Sequence, residues 1–250
     1  MIALITGASS GIGKDISIYL SELGYDLIVV ARRKEKLEEL KKLCKTRVEI
    51  ITLDLSKEKN CFELYDKVSS KKIDILINNA GFGMFGNFNN IPINKEIEMI
   101  NLNVKALHIL TKLFLNDMLS RNSGHILNVA SSAAFAPGPL MATYYSSKSY
   151  VFRLSQSLYE ELKQKGSKVK ISVLCPGPVD TEFNDVANVK FAFKPLSSKF
   201  VAKYAIDNMF KNKLVIIPGV SMKFNRFLSK IIPDKIISKV IYNSQKKKTN

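Results

Sequence analysis

Short apolar runs recur along the chain, separated by longer stretches in which apolar positions return every three or four residues. The runs fall at 2–6, 26–30, 47–52, 73–77, 124–130, 168–174 and 213–217. They do not alternate with polar residues; Leu27-Ile28-Val29-Val30 is an example. Near-continuous apolar runs of this length fit parallel strands covered on both faces. The stretches 12–23, 34–44, 56–69, 94–120, 142–164 and 198–211 have helix length. In 34–44, Leu37, Leu40 and Leu43 are expected on one face and the charges on the others. Ser56 is expected to open the 56–69 helix with an incomplete cap, because Lys59 stands where a Glu or Gln would complete it. Regular strand–helix alternation predicts an α/β fold, a doubly wound sheet of about seven parallel strands flanked by helices. No repeat or linker interrupts the pattern. Residues 176–197 lack periodicity and contain three prolines, which suggests a long functional loop with a short helix.

The first run passes directly into Thr6-Gly7-Ala8-Ser9-Ser10-Gly11-Ile12-Gly13, and a helix follows. A glycine cluster between a strand and a helix has a specific use. Gly7 permits a tight turn, Gly11 lets the backbone approach a pyrophosphate, and Gly13 lets helix and strand pack closely. The helix start offers N–H groups and a positive dipole end to phosphate. This makes 1–250 a single Rossmann-type dinucleotide-binding and catalytic domain, with 218–250 as an amphipathic helical extension and basic tail. The second run ends Val29-Val30-Ala31-Arg32-Arg33. A site for a free ribose 2′-hydroxyl carries an acidic residue there, whereas arginine pairs with a 2′-phosphate. The expected cofactor is therefore NADP(H), with Arg32 as the main ligand and Arg33 beside it. Ser9 and Lys14 are lesser candidates.

Further motifs follow in order. Asp54-Leu55 comes after the third run, Asn78-Asn79-Ala80-Gly81 after the fourth, and Asn103 lies in the long helix. Ser131 follows the fifth run, Tyr144 comes 13 residues later, and Lys148 completes Y-x-x-x-K. Pro176-Gly177, Val179 and Thr181 follow the sixth. This ordered series resembles the short-chain dehydrogenase/reductase family in its compact single-domain form, over about residues 1–217. The resemblance implies an enzyme acting on CH–OH and C=O groups. It implies cofactor contacts from Gly7, Ser9, Ser10, Gly11, Ile12, Gly13, Asp54, Leu55, Asn79, Ala80 and Gly81, and from Tyr144, Lys148, Pro176, Gly177, Val179 and Thr181. It also implies a homodimer or homotetramer paired through 94–120 and 142–164. Tyr144 rather than Tyr145 lies four residues before Lys148, and positions i and i+4 share a helix face. The resemblance also favours Asn103 over Asn101 and Ser131 over Ser132, because their spacing matches the family's.

Reducing a carbonyl by hydride transfer builds charge on oxygen, and a proton must arrive there. A free tyrosine has a pKa near 10, and a neighbouring ammonium lowers it. Lys148 is expected to supply that field and, by resemblance, to hold the nicotinamide ribose. Ser131 is expected to bond the substrate oxygen. Asn103 is expected to hold a water that relays protons past Lys148. An idle NADP-binding regulator of the same fold is the alternative, but such a protein should lack Ser131, Tyr144 or Lys148, and all three are present.

The loops around these residues are apolar. They carry Phe82, Met84, Phe85, Phe135, Pro137, Leu140, Met141, Pro178, Phe183, Val186, Val189, Phe191 and Phe193. A small hydrophobic carbonyl or alcohol is the expected substrate. Beyond the seventh run, Phe224, Phe227, Leu228, Ile231 and Ile232 form one apolar stripe. Ile236, Ile237, Val240 and Ile241 form another after Pro233, with five basic residues between. A lid or subunit interface is the preferred expectation for 220–242, and peripheral membrane contact is the alternative.

The net charge of +16 suits nucleotides, acidic carrier proteins, nucleic acid or anionic membranes. Lysine-rich composition alone also explains it. No nucleic-acid motif accompanies the charge, so no nucleic-acid partner is expected. A reductase acting on carrier-bound substrates remains compatible with the basic surface. Cys44, Cys61 and Cys175 lack metal-ligand spacing, and His108 and His125 are the only histidines, so no metal site is expected. An odd cysteine count without a signal segment points to a cytoplasmic protein. Both histidines are expected to be structural.

Overall fold

The computed structural model describes residues 1–183 and 195–246. Its strands are β1 (Ile2–Thr6), β2 (Asp26–Ala31), β3 (Val48–Thr52), β4 (Ile73–Asn78), β5 (His125–Val129), β6 (Lys170–Leu174), β7 (Val179–Asp180), β8 (Leu196–Ser197) and β9 (Val215–Ile216). Its α-helices are α1 (Gly11–Glu22), α2 (Lys34–Leu43), α3 (Glu58–Val68), α4 (Ile93–Ile100), α5 (Leu107–Ser120), α6 (Ala142–Gln164), α7 (Ser198–Phe210), α8 (Val220–Leu228) and α9 (Asp234–Lys246). Seven strands form one sheet in the order β3-β2-β1-β4-β5-β6-β9, and every pairing in it is parallel.

The apolar runs explain the layering. In β1, Ala3 and Ile5 point into a core formed with α1 and α7, while Leu4 between them points into a second core with α3 and α5. Alternate residues feed opposite faces, so a strand covered on both sides is apolar at most of its positions. In α2, Leu37 and Leu40 are fully buried, but Leu43 is about half exposed. It is the last residue of the helix. Helix α3 starts at Glu58 behind Lys57 and has no side-chain cap. Ser56 instead bonds Asp54.

The predicted 94–120 helix is one continuous rod with a π-helical turn at Asn101–Ala106 between α4 and α5. No glycine or proline marks that turn in the sequence. Such turns are frequent at functional sites, and this one carries Asn103. The base of the 176–197 segment is pinched by a small parallel pairing of β7 with β8. The rest of that segment, residues 184–194, where a short helix was expected, lies outside the described residues. No described helix is long and apolar enough to cross a membrane.

The sheet order reverses between β1 and β4, since β1 runs on to β2 and β4 to β5 on opposite sides. The crevice outside the carboxyl ends of strands at such a switch point is where open α/β sheets bind ligands.

Candidate active site

Each sequence motif lies just past the carboxyl end of its strand, and together they line one cleft of about 450 Å³. Gly7, Ser9, Ser10, Gly11 and Ile12 come from the turn after β1. Arg32 and Arg33 follow β2, and Asp54 and Leu55 follow β3. Asn79, Ala80 and Gly81 follow β4, and Ser131 follows β5. Pro176, Gly177, Val179 and Thr181 follow β6, and Tyr144 and Lys148 rise from α6. Three catalytic or cofactor candidates do not line the cleft: Gly13 lies beneath the turn, Asn103 behind Gly81, and Lys14 on α1 is not part of the lining.

The glycine turn is a cradle that side chains would fill. Gly7 sits at φ +67, where a Cβ would come 2.8 Å from Ala80 Cα. At Gly11, φ +54, a Cβ would come 2.8 Å from the Thr181 methyl. At Gly13 a Cβ would lie 2.4 Å from Gly7 O, a backbone atom that cannot step aside. Gly13→Ala is therefore expected to disrupt the turn, lowering stability by about 2 kcal/mol or more and weakening cofactor binding. Thermal denaturation and dinucleotide titration check this, and unchanged values for both would contradict it. Thr6 locks the neighbouring loop. Its Oγ1 accepts from Asn79 N at 3.0 Å and Ala80 N at 3.1 Å. The Asn79 amide donates back to Thr6 O and Gly7 O. Ser10 precedes α1 without capping it through its side chain, so no side chain of its own cap takes up the first-turn N–H groups that face a phosphate.

At the 2′ end, Arg33 rather than Arg32 is held against the turn. Its Nη2 lies 3.1 Å from the hydroxyls of both Ser9 and Ser10, and 2.7 Å from a Glu182 carboxylate oxygen. That bond holds Glu182 below the usual carboxylate range. Arg32 is more exposed and reaches Glu98 at 3.4 Å. Asp54 Oδ1 accepts from both N–H and Oγ of Ser56, which fixes its carboxylate at the cleft wall.

Tyr144, Ser131 and Lys148 meet at the inner end of the cleft. Tyr144 is buried, and its phenol is pushed up to about 12 by that burial, opposed by a hydrogen bond with Ser131. Lys148 Nζ lies 5.9 Å from the Tyr144 ring centroid and donates to Val129 O at 2.9 Å. Burial lowers its amine to about 8. The expected lowering of Tyr144 by Lys148 is thus not seen. Desolvation outweighs a cation that is itself desolvated and turned to a carbonyl. Asn103 is 1% exposed. Its Oδ1 accepts from Phe82 N at 3.0 Å, and its amide donates to Phe82 O and Ser147 Oγ. A Cβ on Gly81 would lie 2.9 Å from Asn103 Oδ1 and 3.3 Å from Lys148 Nζ, so the three converge. Below them Asn78, Thr111, Asn128 and Ser155 form a buried hydrogen-bonded chain tying β4 and β5 to α5 and α6.

Tyr144 also anchors an apolar wall with Met99, Ala133, Met141, Phe82, Met84, Phe85, Tyr145 and Phe183. Phe183 stands 5.4 Å from the Tyr144 ring. Phe135 does not join it; its ring stacks edge-on to Phe152 beneath Arg226. Pro137 and Leu140 do not line the cleft, whereas Pro178 does. Val186, Val189, Phe191 and Phe193 lie outside the described residues. Sequence reasoning missed Gly83, where a Cβ would come 3.1 Å from the Tyr144 ring. It also missed Ser147, and Ser244 and Gln245 from α9. Ser244 lines the cleft and Gln245 donates to Tyr145 Oη at 3.2 Å. Only a chain-distant contact reveals these last two. Neither histidine lines the cleft. His125 bonds Ser172 and is lowered to about 4 by burial, and His108 bonds Tyr150. Burial raises all three thiols, Cys61 to about 11 and Cys175 to about 12. No group of metal-ligating side chains occurs among the described residues.

A glycine-cradled switch-point cleft ending in a Ser-Tyr-Lys set is the architecture of a nicotinamide-dependent oxidoreductase. The short chain dehydrogenase family model matches residues 1–190, and the chain belongs to that family. It is 36% identical over 200 residues to human 17-beta-hydroxysteroid dehydrogenase type 3, covering 77% of this chain and 63% of that protein. A short-chain dehydrogenase from Sphingobium yanoikuyae in complex with NADPH superposes with a TM-score of 0.82 at 28% identity, covering 90% of this chain and 91% of that one. One from Burkholderia phymatum in complex with NAD superposes with a TM-score of 0.82 at 25% identity, covering 91% and 92%. The chain is therefore an oxidoreductase of the alcohol–carbonyl type.

Proposed function

We propose that this protein is an NADP(H)-dependent reductase of hydrophobic ketones or aldehydes. The observation that carries the reading is the convergence of Ser131, Tyr144 and Lys148 beside an apolar wall at the inner end of a glycine-cradled cleft. The cradle fits a pyrophosphate because side chains at Gly7, Gly11 and Gly13 are excluded by Ala80, Thr181 and Gly7 itself, which leaves a bare backbone turn for a phosphate to approach. Gly7, Ser9, Ser10, Gly11, Ile12 and Gly13 would hold the phosphates. Asp54, Leu55, Asn79, Ala80 and Gly81 would flank the adenine side. Lys148, Pro176, Gly177, Val179 and Thr181 would flank the nicotinamide side. When bound, the nicotinamide supplies or accepts the hydride.

The remaining work belongs to the chain. Ser131 bonds the substrate oxygen. Tyr144, a phenol at neutral pH because burial holds it near 12, donates a proton to that oxygen. A protonated Lys148 favours the phenolate left behind. Asn103 sets the Gly81–Phe82 backbone against Lys148, and a water held there would return the proton. Phe82, Met141, Tyr145 and Phe183 exclude solvent and suit an apolar substrate; the human relative's name, a hydroxysteroid dehydrogenase, agrees with that class. Homo-oligomerisation through the outer faces of α5 and α6 belongs to the same proposal. Exposed Tyr150, bonded to His108 across those helices at 2.7 Å, would lie in the contact.

The cofactor choice rests on Arg32 and Arg33 at the end of β2, with no acidic residue between Val29 and Arg33. Fluorescence titration is expected to show clear NADPH preference over NADH. Arg33→Ala, and to a lesser degree Arg32→Ala, should weaken NADPH by about 10–100-fold, as loss of a charge-assisted pair does, and leave NADH nearly unchanged. Equal binding of the two dinucleotides by the wild type would overturn the NADP(H) assignment.

A further inference from the structure

Helices α8 and α9 bind the body by their inner faces only. Met222 packs against Gly177, where a glycine Cβ would come 2.7 Å from its side chain. The Arg226 guanidinium lies over the rings of Phe135 and Phe152, at 5.6 and 5.4 Å. Gln245 is 3% exposed and bonds Tyr145. The outer faces remain apolar and in solvent. Val220, Phe224, Phe227 and Ile231 are 58–81% exposed along α8 and the turn after it, and Ile236 and Val240 are 55% and 62% exposed on α9. Such a cluster on a water-soluble surface marks a contact with something else. The Gln245–Tyr145 contact makes the end of α9 part of the cleft wall, in keeping with a lid, but a lid role uses the inner face and leaves the outer one unexplained.

The charge says what covers it. Residues 220–250 hold eight basic side chains and a single acidic one, Asp234. Among the described residues Lys223, Lys230, Lys235 and Lys239 take part in no ion pair. A symmetric contact between two copies would set two such basic faces against each other, which repulsion opposes. An anionic lipid surface answers both features, since it takes apolar side chains into its interface and lysines onto its headgroups.

We propose that α8 and α9 form a peripheral docking face for anionic lipid bilayers. The pair lies in the interface with Phe224, Phe227, Ile231, Ile236 and Val240 facing the acyl boundary. Ser244 lines the cleft at the far end of the same element, so the cleft opens beside the docked surface. This surface does not depend on the reductase reading.

Flotation of the full chain with phosphatidylcholine vesicles, with and without phosphatidylglycerol, tests it. The wild type should float with anionic vesicles at low salt at least tenfold more than with neutral ones, and less as salt rises. Phe224→Asp/Phe227→Asp, changing two exposed positions, should lose at least tenfold of that binding while keeping its melting temperature. Lys230→Glu/Lys235→Glu/Lys239→Glu should lose the preference for anionic lipid. No flotation of the wild type, or flotation unchanged in the double Phe variant, overturns the proposal. So does a concentration-dependent dimer in sedimentation that the Phe variant abolishes without any vesicle binding, which would assign the face to a second copy.

Discussion

Lys148→Met is expected to make the ligand-free protein more stable at pH 7 while removing most of its reductase activity. Burial holds the Lys148 amine at about 8 against an ordinary 10.5. At pH 7 the amine is charged in both folded and unfolded chains, so the folded state carries the cost of desolvating that charge. The drop corresponds to roughly 3 kcal/mol. The cost is complete below about pH 8, shrinks as pH rises towards 10.5, and is absent above. Methionine removes the charge but forfeits the bond to Val129 O, worth about 1 kcal/mol. The net gain is about 2 kcal/mol, or about 5 °C in melting temperature for a chain of this size. Calorimetry at pH 7 and pH 10 should show the gap between variant and wild type narrowing at the higher pH. A variant less stable than wild type at pH 7 would contradict the burial argument. Activity falls because nothing then favours the Tyr144 phenolate.

Tyr144→Phe is expected to slow carbonyl reduction by about 10³-fold, within the range lost with a positioned proton donor. The substitution deletes only Oη. The ring keeps its packing against Phe183 and the apolar wall, so dinucleotide affinity and melting temperature should stay close to wild type. In the wild type, kcat/KM for reduction should fall as pH rises through about 8, where Lys148 loses its proton. Tyr144 itself, held near 12, stays protonated throughout that range. A rate flat across pH 8, or a Tyr144→Phe variant that still reduces carbonyls at the wild-type rate, would remove these residues from their roles.

Much of this was legible from local pattern. The strands of the main sheet were visible because a strand buried on both faces is apolar at most positions, as Leu27 to Val30 are, with hydrogen-bonded exceptions such as Asn78, Asn128 and Ser172. The glycine turn was visible because Gly7 and Gly11 occupy positive φ and Gly13 meets backbone. Tyr144 and Lys148 share a face because they are one helical turn apart. What failed depended on contacts between distant segments. Arg32 and Arg33 are adjacent and equivalent in sequence, and the contacts of Arg33 with Ser9, Ser10 and Glu182 had no sign there. Phe135 reads as a pocket residue by its nearness to Ser131, yet packing turns it to Phe152. The π turn that aims Asn103 inward leaves no mark in composition. Burial reverses the expected shift of Tyr144, because proximity of a lysine in sequence does not say where its ammonium points. In 220–242 the apolar periodicity was correct, but which half of it faces the body could not be read without the docking contacts of Met222 and Gln245.

The most direct test follows the absorbance of reduced nicotinamide when NADPH-loaded protein is mixed with a panel of apolar and small polar ketones, in wild type and Tyr144→Phe. The expected result is consumption by the wild type with apolar ketones foremost, and its near absence in the variant, with NADPH bound equally by both. Bound NADPH that no carbonyl in the panel oxidises in the wild type, or equal consumption by the two proteins, would contradict the assignment of Tyr144 as proton donor in a carbonyl reductase.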